Sequence, residues 1–302
     1  MATSIGPYEI VEKIGDGGQG SVMKAFHNKT GERFAIKSIN LTGPSSRLAF
    51  EAEFQAMSKL SSKISNVCTI EDVFQDKHNG YLVMKHYDCD LFAYAFEMRD
   101  NPLPENEVKI LFLKICKGIR NLHRARIAHL DLKPENILLD LETMEPYICD
   151  FGSAFTSACP KSNRKRSRAC IQEIPALGYR GTRKFSCPEM NISPNVYDPF
   201  RADIFSLGVI LHILTTGYYP KMKTLPDGSE VRDFTWAKSV LSASCYDLLT
   251  CLTNPSPTER MYIDKIFDHP WIKPRRRRSI ANWTKSLPAT LSPALLPRVT
   301  AT

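Results

Sequence analysis

His129-Leu130-Asp131-Leu132-Lys133-Pro134-Glu135-Asn136-Ile137-Leu138-Leu139, followed by Cys149-Asp150-Phe151-Gly152, is the stretch of this 302-residue chain whose reading decides the fold. Asp131, Lys133 and Asn136 stand two and three residues apart, and Asp150 follows fourteen residues after Asn136. Transfer of a phosphoryl group needs a carboxylate to orient the attacking hydroxyl, a cation for the migrating group, and oxygen ligands for Mg²⁺. Asp131, Lys133 and the pair Asn136/Asp150 supply those parts in that order. A D-x-K-x-x-N run standing alone reads equally well as a solvated turn, so its meaning depends on what surrounds it.

Upstream, Gly15-Asp16-Gly17-Gly18-Gln19-Gly20 fits G-x-G-x-x-G. A Walker A loop would end in G-K-[ST], whereas Gly20 is followed by Ser21-Val22. A dinucleotide fingerprint would lead directly into a helix, whereas Ser21–Phe26 reads as a strand. What remains is a strand–glycine loop–strand hairpin, in which absent side chains let backbone N–H groups approach phosphates. Seventeen residues on, Ala35-Ile36-Lys37 places a lysine inside an apolar strand, where it loses hydration unless an anion meets it. Snorkelling to water from an edge strand is the plain alternative. Glu51 and Glu53 compete as its partner. Glu53 is preferred because Ala56 and Met57 follow it at +3 and +4, beside the buried stripe of the next helix.

Around these motifs the first 90 residues read as strands: Tyr8–Gly15, Gly20–His27, Arg33–Asn40, Val67–Phe74 and Tyr81–His86, with one helix over Arg47–Leu60. From residue 90 the pattern turns helical. Val108, Leu111, Ile115, Ile119 and Leu122 line one face of a long helix behind Pro104-Glu105-Asn106. Asp203–Thr215 is apolar nearly all round, which predicts a buried central helix. Short helices fit 235–252 and 258–267. The expected fold class is therefore α+β and bilobal: a small antiparallel β-sheet lobe with one helix, a larger mainly helical lobe, and a cleft near Lys85–Tyr87.

The whole ordered set resembles the eukaryotic protein kinases, serine/threonine branch, over roughly residues 8–272. The resemblance implies a small lobe of about 8–86, a larger lobe of about 87–272, and ATP and Mg²⁺ between them. By position, Gly15, Gly17 and Gly20 look like the loop over the phosphates, with Ile14 before it, and Lys37 and Glu53 look like an ion pair. Asp131 looks like the catalytic base with Lys133 beside it, and Asn136 and Asp150 look like the metal ligands. Val22, Ala35 and Leu138 would sandwich the adenine, Met84 would guard the back of the pocket, and Lys85 to Tyr87 would offer main-chain groups to its edge. Cys187-Pro188-Glu189 stands where the family has A-P-E. Glu189 would pair with Arg260, and Asp203 would brace the catalytic loop. Ile70, Met57, His129 and Phe151 would stack between the lobes. Lys133, two residues past the base, matches the serine/threonine branch and implies protein substrates with Ser or Thr acceptors. A pseudokinase scaffold is the rival from another class, although Lys37, Asp131, Asn136 and Asp150 are all present. A small-molecule or lipid phosphotransferase on a related fold is disfavoured by Pro188-Glu189, Asp203 and Arg260.

Leu130 departs from the family, which usually has arginine there to receive a phosphate on the activation segment. Residues 171–180 contain no Ser or Thr. Activity is accordingly expected not to depend on phosphorylation of that segment. Asp90 and Glu135 occupy positions that attract an arginine three residues before the acceptor in basophilic relatives. Ribose contact for Asp90 and a solvated charge for Glu135 are the alternatives. Arg164 precedes Ser167 by three and Arg276 precedes Ser279 by three, making both serines autophosphorylation candidates.

The net charge of +8 is concentrated in two runs, Lys161–Arg168 and Lys273–Arg278, each with five positive and no negative side chains. Removing those ten charges leaves the rest of the chain at −2, which argues against a nucleic-acid-coating fold. The first run reads as a solvated loop or as a dock for an acidic partner. The second opens a basic tail, 273–302, expected to be disordered, and reads as a nuclear-import signal, a phosphate-binding tail or a pseudosubstrate. Nine cysteines without a C-x-x-C pair and no secretory signal predict reduced thiols and a cytoplasmic or nuclear protein. Cys159 and Cys170 flank the first run as unremarkable thiols or a redox pair. No membrane span is expected, because Ile204–Leu214 is too short. A monomer is expected.

Overall fold

The computed structural model describes residues 4–17, 20–61, 64–99, 102–157, 178–192, 196–224 and 230–273. The run Lys161–Arg168, Cys159, Cys170, Ser167, Ser279 and the tail from 274 lie outside the described residues.

The N-terminal lobe is one six-stranded antiparallel sheet in the order β1-β2-β3-β4-β6-β5. Its strands are β1 (Ser4–Ile5), β2 (Tyr8–Gly17), β3 (Gly20–His27), β4 (Arg33–Asn40), β5 (Ile70–Gln75) and β6 (Asn79–Lys85). Alternation puts Ala35, Lys37 and Ile39 on one face of β4, and Ala35 and Ile39 join the main core. Tyr8, Ala25, Ile36 and Val83 pack a separate cluster on the opposite face. Helix α1 (Pro44–Ser58) begins three residues before the sequence pattern suggested, because Pro44 sits in its first turn, where a missing N–H costs nothing. It buries Phe50, Glu53, Ala56 and Met57. Val67 falls outside the strand predicted there and instead bridges Ile148 of the second lobe.

In the larger lobe, α2 (Glu105–Arg124) lays Val108, Leu111, Phe112, Ile115, Ile119 and Leu122 into the core, with acids in its first turn and bases in its last, as the helix dipole favours. Helix α4 (Pro199–Thr216) is almost wholly buried. Asp198 caps it by accepting from the N–H groups of Phe200 and Arg201 at 2.9 and 3.3 Å, and Gly217 ends it in a left-handed turn at φ +77°. Helices α3 (Pro188–Ile192), α5 (Ala243–Leu252) and α6 (Ile263–Ile266) are the other α-helices among the described residues. The helix expected over 258–267 shrinks to α6, since Pro255 and Pro257 flank a turn in which Asn254 Oδ1 accepts from Ser256 N–H. No helix among the described residues is long and apolar enough to cross a membrane.

The larger lobe also contains strands that sequence periodicity did not show: β7 (Cys89–Asp90), β8 (Ile127–Ala128), β9 (Ile137–Asp140), β10 (Glu145–Ile148), β11 (Phe155–Thr156), and the hairpin β12 (Lys221–Thr224) with β13 (Glu230–Asp233). All are two to four residues long, too short for alternation to register. They do most of the positioning. The β9–β10 hairpin pairs Ile137 with Ile148, so the residues just outside it, Asn136 and Cys149, meet through a 3.0 Å backbone bond. The β8–β11 pair fixes the far ends of the same two segments.

Candidate active site

Those hairpins bring the two opening motifs together as a single pocket wall. Its foundation is Asp203 of α4, which is fully buried. Its carboxylate accepts from the N–H of His129 and of Leu130, both at 2.8 Å, and bonds His123 Nε2 at 2.9 Å. Leu130 adopts φ +64°, a left-handed conformation that is strained for a leucine and worth about 1–3 kcal/mol. The Asp203 bonds and burial of the leucine side chain hold it there. His129 donates from Nε2 to the Cys149 carbonyl at 2.8 Å, while its Nδ1 accepts from Asp131 N–H at 3.3 Å. Its ring lies 5.3 Å from Phe151. Met57 and Phe151 are buried in the same core, and Ile70 packs on it.

Asp131 is held at both carboxylate oxygens. Thr182 Oγ1 donates to Oδ1 at 2.8 Å, and Asn136 Nδ2 donates to Oδ2 at 3.3 Å and to the Asp131 carbonyl at 2.8 Å. Lys133 Nζ lies 3.3 Å from Asp131 Oδ2 and donates to Thr182 Oγ1 at 3.2 Å. Thr182 was not foreseen from the sequence. Its neighbour Gly181 explains the close approach: at φ +76°, an added Cβ would fall 2.2 Å from the Leu130 carbonyl.

On the opposite wall, Lys37 Nζ donates to both oxygens of Glu53, at 2.8 and 2.7 Å, and to Asp150 Oδ1 at 2.8 Å. Glu51 is exposed on the far side of α1. Glu53 also accepts from the backbone of Phe151, tying α1 to the Asp150 turn. Burial pushes Lys37 down, but Glu53 and Asp150 outweigh it and the ammonium is held above its ordinary range. Burial pushes the Asp150 carboxyl up, but Lys37 outweighs it and leaves Asp150 below the usual carboxylate range. For Glu53 burial prevails and the direction is upward, with Lys37 offsetting part. Asp150, at φ +62°, is thus the carboxylate kept ionised at the pocket edge.

This chemistry fits a hard divalent cation. Asn136 spends its amide nitrogen on Asp131, no described residue donates to its Oδ1, and Asp150 offers an ionised oxygen. The residues expected to face a nucleotide lie on neighbouring strands. Ala35 pairs with Met84 across β4–β6, both buried, and Val22 pairs with Lys37 across β3–β4. Leu138 of β9 is partly buried and packs against the main core. Lys85 points its side chain outward, 4.0 Å from Asp140. The Tyr87 ring stacks on Tyr147 at 4.4 Å, and its N–H has no partner among the described residues, whereas those of His86 and Asp88 are bonded to Arg33 and Leu139. Gly15 and Gly17 pair with Val22 and Gly20 at the tip of the β2–β3 hairpin, beside Ile14, which is 45% exposed. Gly20, at φ +148°, admits no side chain: a Cβ would lie 2.0 Å from the Ser38 carbonyl. Gly18 and Gln19 lie outside the described residues.

Further from the chemistry, Arg260 is buried and forms a two-pronged pair with Glu189 at 2.7 and 2.9 Å. Cys187 ahead of it is fully buried, which pushes its thiol up. Asp90 uses Oδ1 to accept from Ala93 N–H at 2.8 Å, capping a π-helical turn over Ala93–Glu97, while Glu135 is exposed. The seven described cysteines are all free. One other cluster, Asp247, Cys251 and His269, gathers three ligand atoms within 4.8 Å. There His269 Nδ1 accepts from Trp271 N–H, so its Nε2 carries the proton and donates to Asp247, which commits the ring to hydrogen bonding rather than to a metal.

A family model described as "Protein kinase domain" matches residues 8–272. Similar proteins include "Probable serine/threonine-protein kinase KCC4" of Saccharomyces cerevisiae, 29% identical over 95% of this chain and 28% of that protein. "Maternal embryonic leucine zipper kinase" of Danio rerio is 30% identical over 88% of this chain and 37% of that protein. "Mitosis inducer protein kinase cdr1" of Schizosaccharomyces pombe is 29% identical over 89% and 42%. The chain therefore spans well under half the length of these three relatives.

Proposed function

The chain belongs to the protein kinase family, and on that premise we propose that it is a serine/threonine protein kinase that moves the γ-phosphoryl group of ATP to Ser or Thr hydroxyls of proteins. The observation that carries this reading is the convergence of Lys37, bridging Glu53 and Asp150, on the same cleft as Asp131, Lys133 and Asn136. The catalytic unit is residues 8–272, with lobes of about 8–86 and 87–272, and residues 273–302 form a basic appendage. Asp131 orients the acceptor hydroxyl and takes its proton, because Thr182 and Asn136 fix both of its oxygens. Lys133 offsets charge on the migrating group. Lys37, aimed by Glu53, contacts the phosphates, and Gly15, Gly17 and Gly20 bring backbone N–H groups to them. Val22, Ala35, Met84 and Leu138, with Ile14 at the mouth, enclose the adenine, and the main chain from Lys85 to Tyr87 meets its polar edge. Asn136 and Asp150 would hold Mg²⁺, which when bound neutralises phosphate charge.

A preference for basic sequence contexts is part of the proposal, supported by exposed Glu135 and by the half-exposed carboxylate of Asp90. The same proposal makes the basic insert a dock for an acidic partner, the working form a monomer, and the compartment cytoplasmic or nuclear. The test is transfer of ³²P from ATP to an arginine-rich serine peptide, run beside Asp131→Asn and a chain truncated after Ile272. Equal transfer by Asp131→Asn refutes catalysis by this site. A peptide library without selection for Arg or Lys three residues before the acceptor removes the basic preference. A rise on truncation assigns the tail an inhibitory role.

A further inference from the structure

The backbone of residues 183–186 is gripped in an unusual way. Four consecutive carbonyls are all taken by side chains from elsewhere in the fold. Arg232 of β13 donates from Nη2 to the Arg183 carbonyl, from Nε to that of Lys184 at 3.2 Å, and from Nη1 to that of Ser186 at 2.6 Å. Ser206 of α4 donates to the Phe185 carbonyl at 3.0 Å. The guanidinium is partly desolvated, which pushes its proton affinity down, with Tyr179 and Cys187 opposing. No described carboxylate lies within ion-pairing distance of it. Its surroundings are carbonyl dipoles and the Phe205 ring, 5.6 Å away. A half-buried cation loses part of its hydration and needs acceptors in exchange, and three converging carbonyls meet the planar fork of arginine where a lysine would reach only one.

The gripped turn is the continuation of the residues that touch Asp131. Thr182 bonds the Asp131 carboxylate, Gly181 lies against the Leu130 carbonyl, and the turn closes through Phe185 N–H to Thr182 O and Ser186 N–H to Arg183 O. A shift of the 183–186 main chain therefore reaches the catalytic carboxylate and the surface beside the acceptor hydroxyl at once. Arg232 itself stands about 50 residues away in sequence, on a hairpin that contributes none of the residues expected to face a nucleotide.

We propose that Arg232 is a positioning residue for the protein substrate: through the β12–β13 hairpin it locks the main chain of 182–186 into the platform on which the residues next to the acceptor rest. This rests on the kinase reading, and it deepens that reading by separating protein-substrate engagement from nucleotide engagement. A displacement of about 1 Å in such a platform is enough for losses approaching 100-fold.

The test uses the full chain and its Arg232→Ala and Arg232→Lys variants, measuring initial rates against both a serine peptide and ATP. Arg232→Ala is expected to raise the peptide KM about tenfold and lower kcat about threefold, with the ATP KM within about twofold of wild type. Arg232→Lys, keeping charge but losing the fork, is expected to recover less than half of the loss. Hydrogen exchange should quicken at the amides of Phe185 and Ser186 and stay unchanged at 129–136. An unchanged peptide KM, with rate lost only in proportion to unfolded protein, overturns the proposal, as does full rescue by lysine. A wild-type chain that transfers no phosphate overturns the kinase reading instead, and the exchange at 185–186 then still decides whether Arg232 anchors the turn.

Discussion

The loop 129–136, which would carry the catalytic base, and the segment 180–186 meet at Asp131 but are held by opposite chemistry. The loop hangs on one buried anion: Asp203 collects backbone N–H groups of His129 and Leu130. The segment hangs on cations: Arg232 collects the carbonyls of 183, 184 and 186, and Arg180 donates from Nη1 to the carbonyls of Ser153 and Ala154 at 3.2 and 3.1 Å. The loop's anchor belongs to the central helix and forms with the core. The segment's cationic anchors come from a surface hairpin and from the segment itself, and the central helix adds only the neutral Ser206 hydroxyl, on the Phe185 carbonyl. The difference teaches that, on the proposed roles, the side that would carry the chemistry hangs from a charged group of the core, whereas the side that would carry the substrate takes its charged fastenings from outside the core.

The widest separation of the two regions comes from Asp131→Asn. It should lower kcat about 1000-fold, within the range for loss of a general base, while stabilisation by Mg-ATP in a thermal melt persists. Comparable transfer would place the chemistry elsewhere. Asp203→Ala attacks the loop's anchor and leaves buried N–H groups unpaired; urea titration should show a loss of about 4 kcal/mol. A loss as small as that of a typical surface substitution would mean that the loop holds its strained Leu130 by other means.

Helix α4 supports both regions, through Asp203 and Ser206, and its His212 offers a pH handle. Burial lowers this imidazole to about 4, and no described residue bonds its Nδ1. Its folded value lies below its unfolded value of about 6.5, so the unfolded chain binds the proton first and stability falls as pH drops from 6.5 towards 4. Between pH 7 and 5 the contribution is about 2 kcal/mol, read as a difference in denaturation midpoint that His212→Phe should remove. The smallest effect concerns the segment. Fastened by arginines to carbonyls, with leucine at position 130, it should function without a phosphate, so phosphatase treatment should change activity by less than about twofold. A change of orders of magnitude traced to that segment would show that its fastening is conditional.

Much of the catalytic region was legible in the sequence because its groups lie close together in order along the chain. Asp131, Lys133 and Asn136 occupy one turn, and the fourteen residues to Asp150 are a short hairpin and its flanks. The preference for Glu53 over Glu51 followed from helical spacing, since only one of two residues i and i+2 can face the sheet. The strands that would hold a nucleotide were legible as strands, although Ile14 lies more in solvent than an enclosing residue suggests. The segment was not legible. Thr182 lies in an irregular turn and Arg232 in a strand of four residues, and neither has a period to detect. Nothing in Arg232's neighbours points to residues 183–186, about 50 positions away.

The sequence by itself determined the order of chemical groups, the strand-rich and helix-rich halves, and the family, since each depends on side-chain type at fixed local spacing. The tertiary structure alone decided which polar atoms share which donor. It gave Asp131 to Thr182 and Asn136, Lys37 to two carboxylates at once, and Arg232 to three carbonyls. Those assignments depend on desolvation: once the core closes, buried donors and acceptors lose water and need partners, and only the packed geometry determines which partner lies within hydrogen-bonding reach.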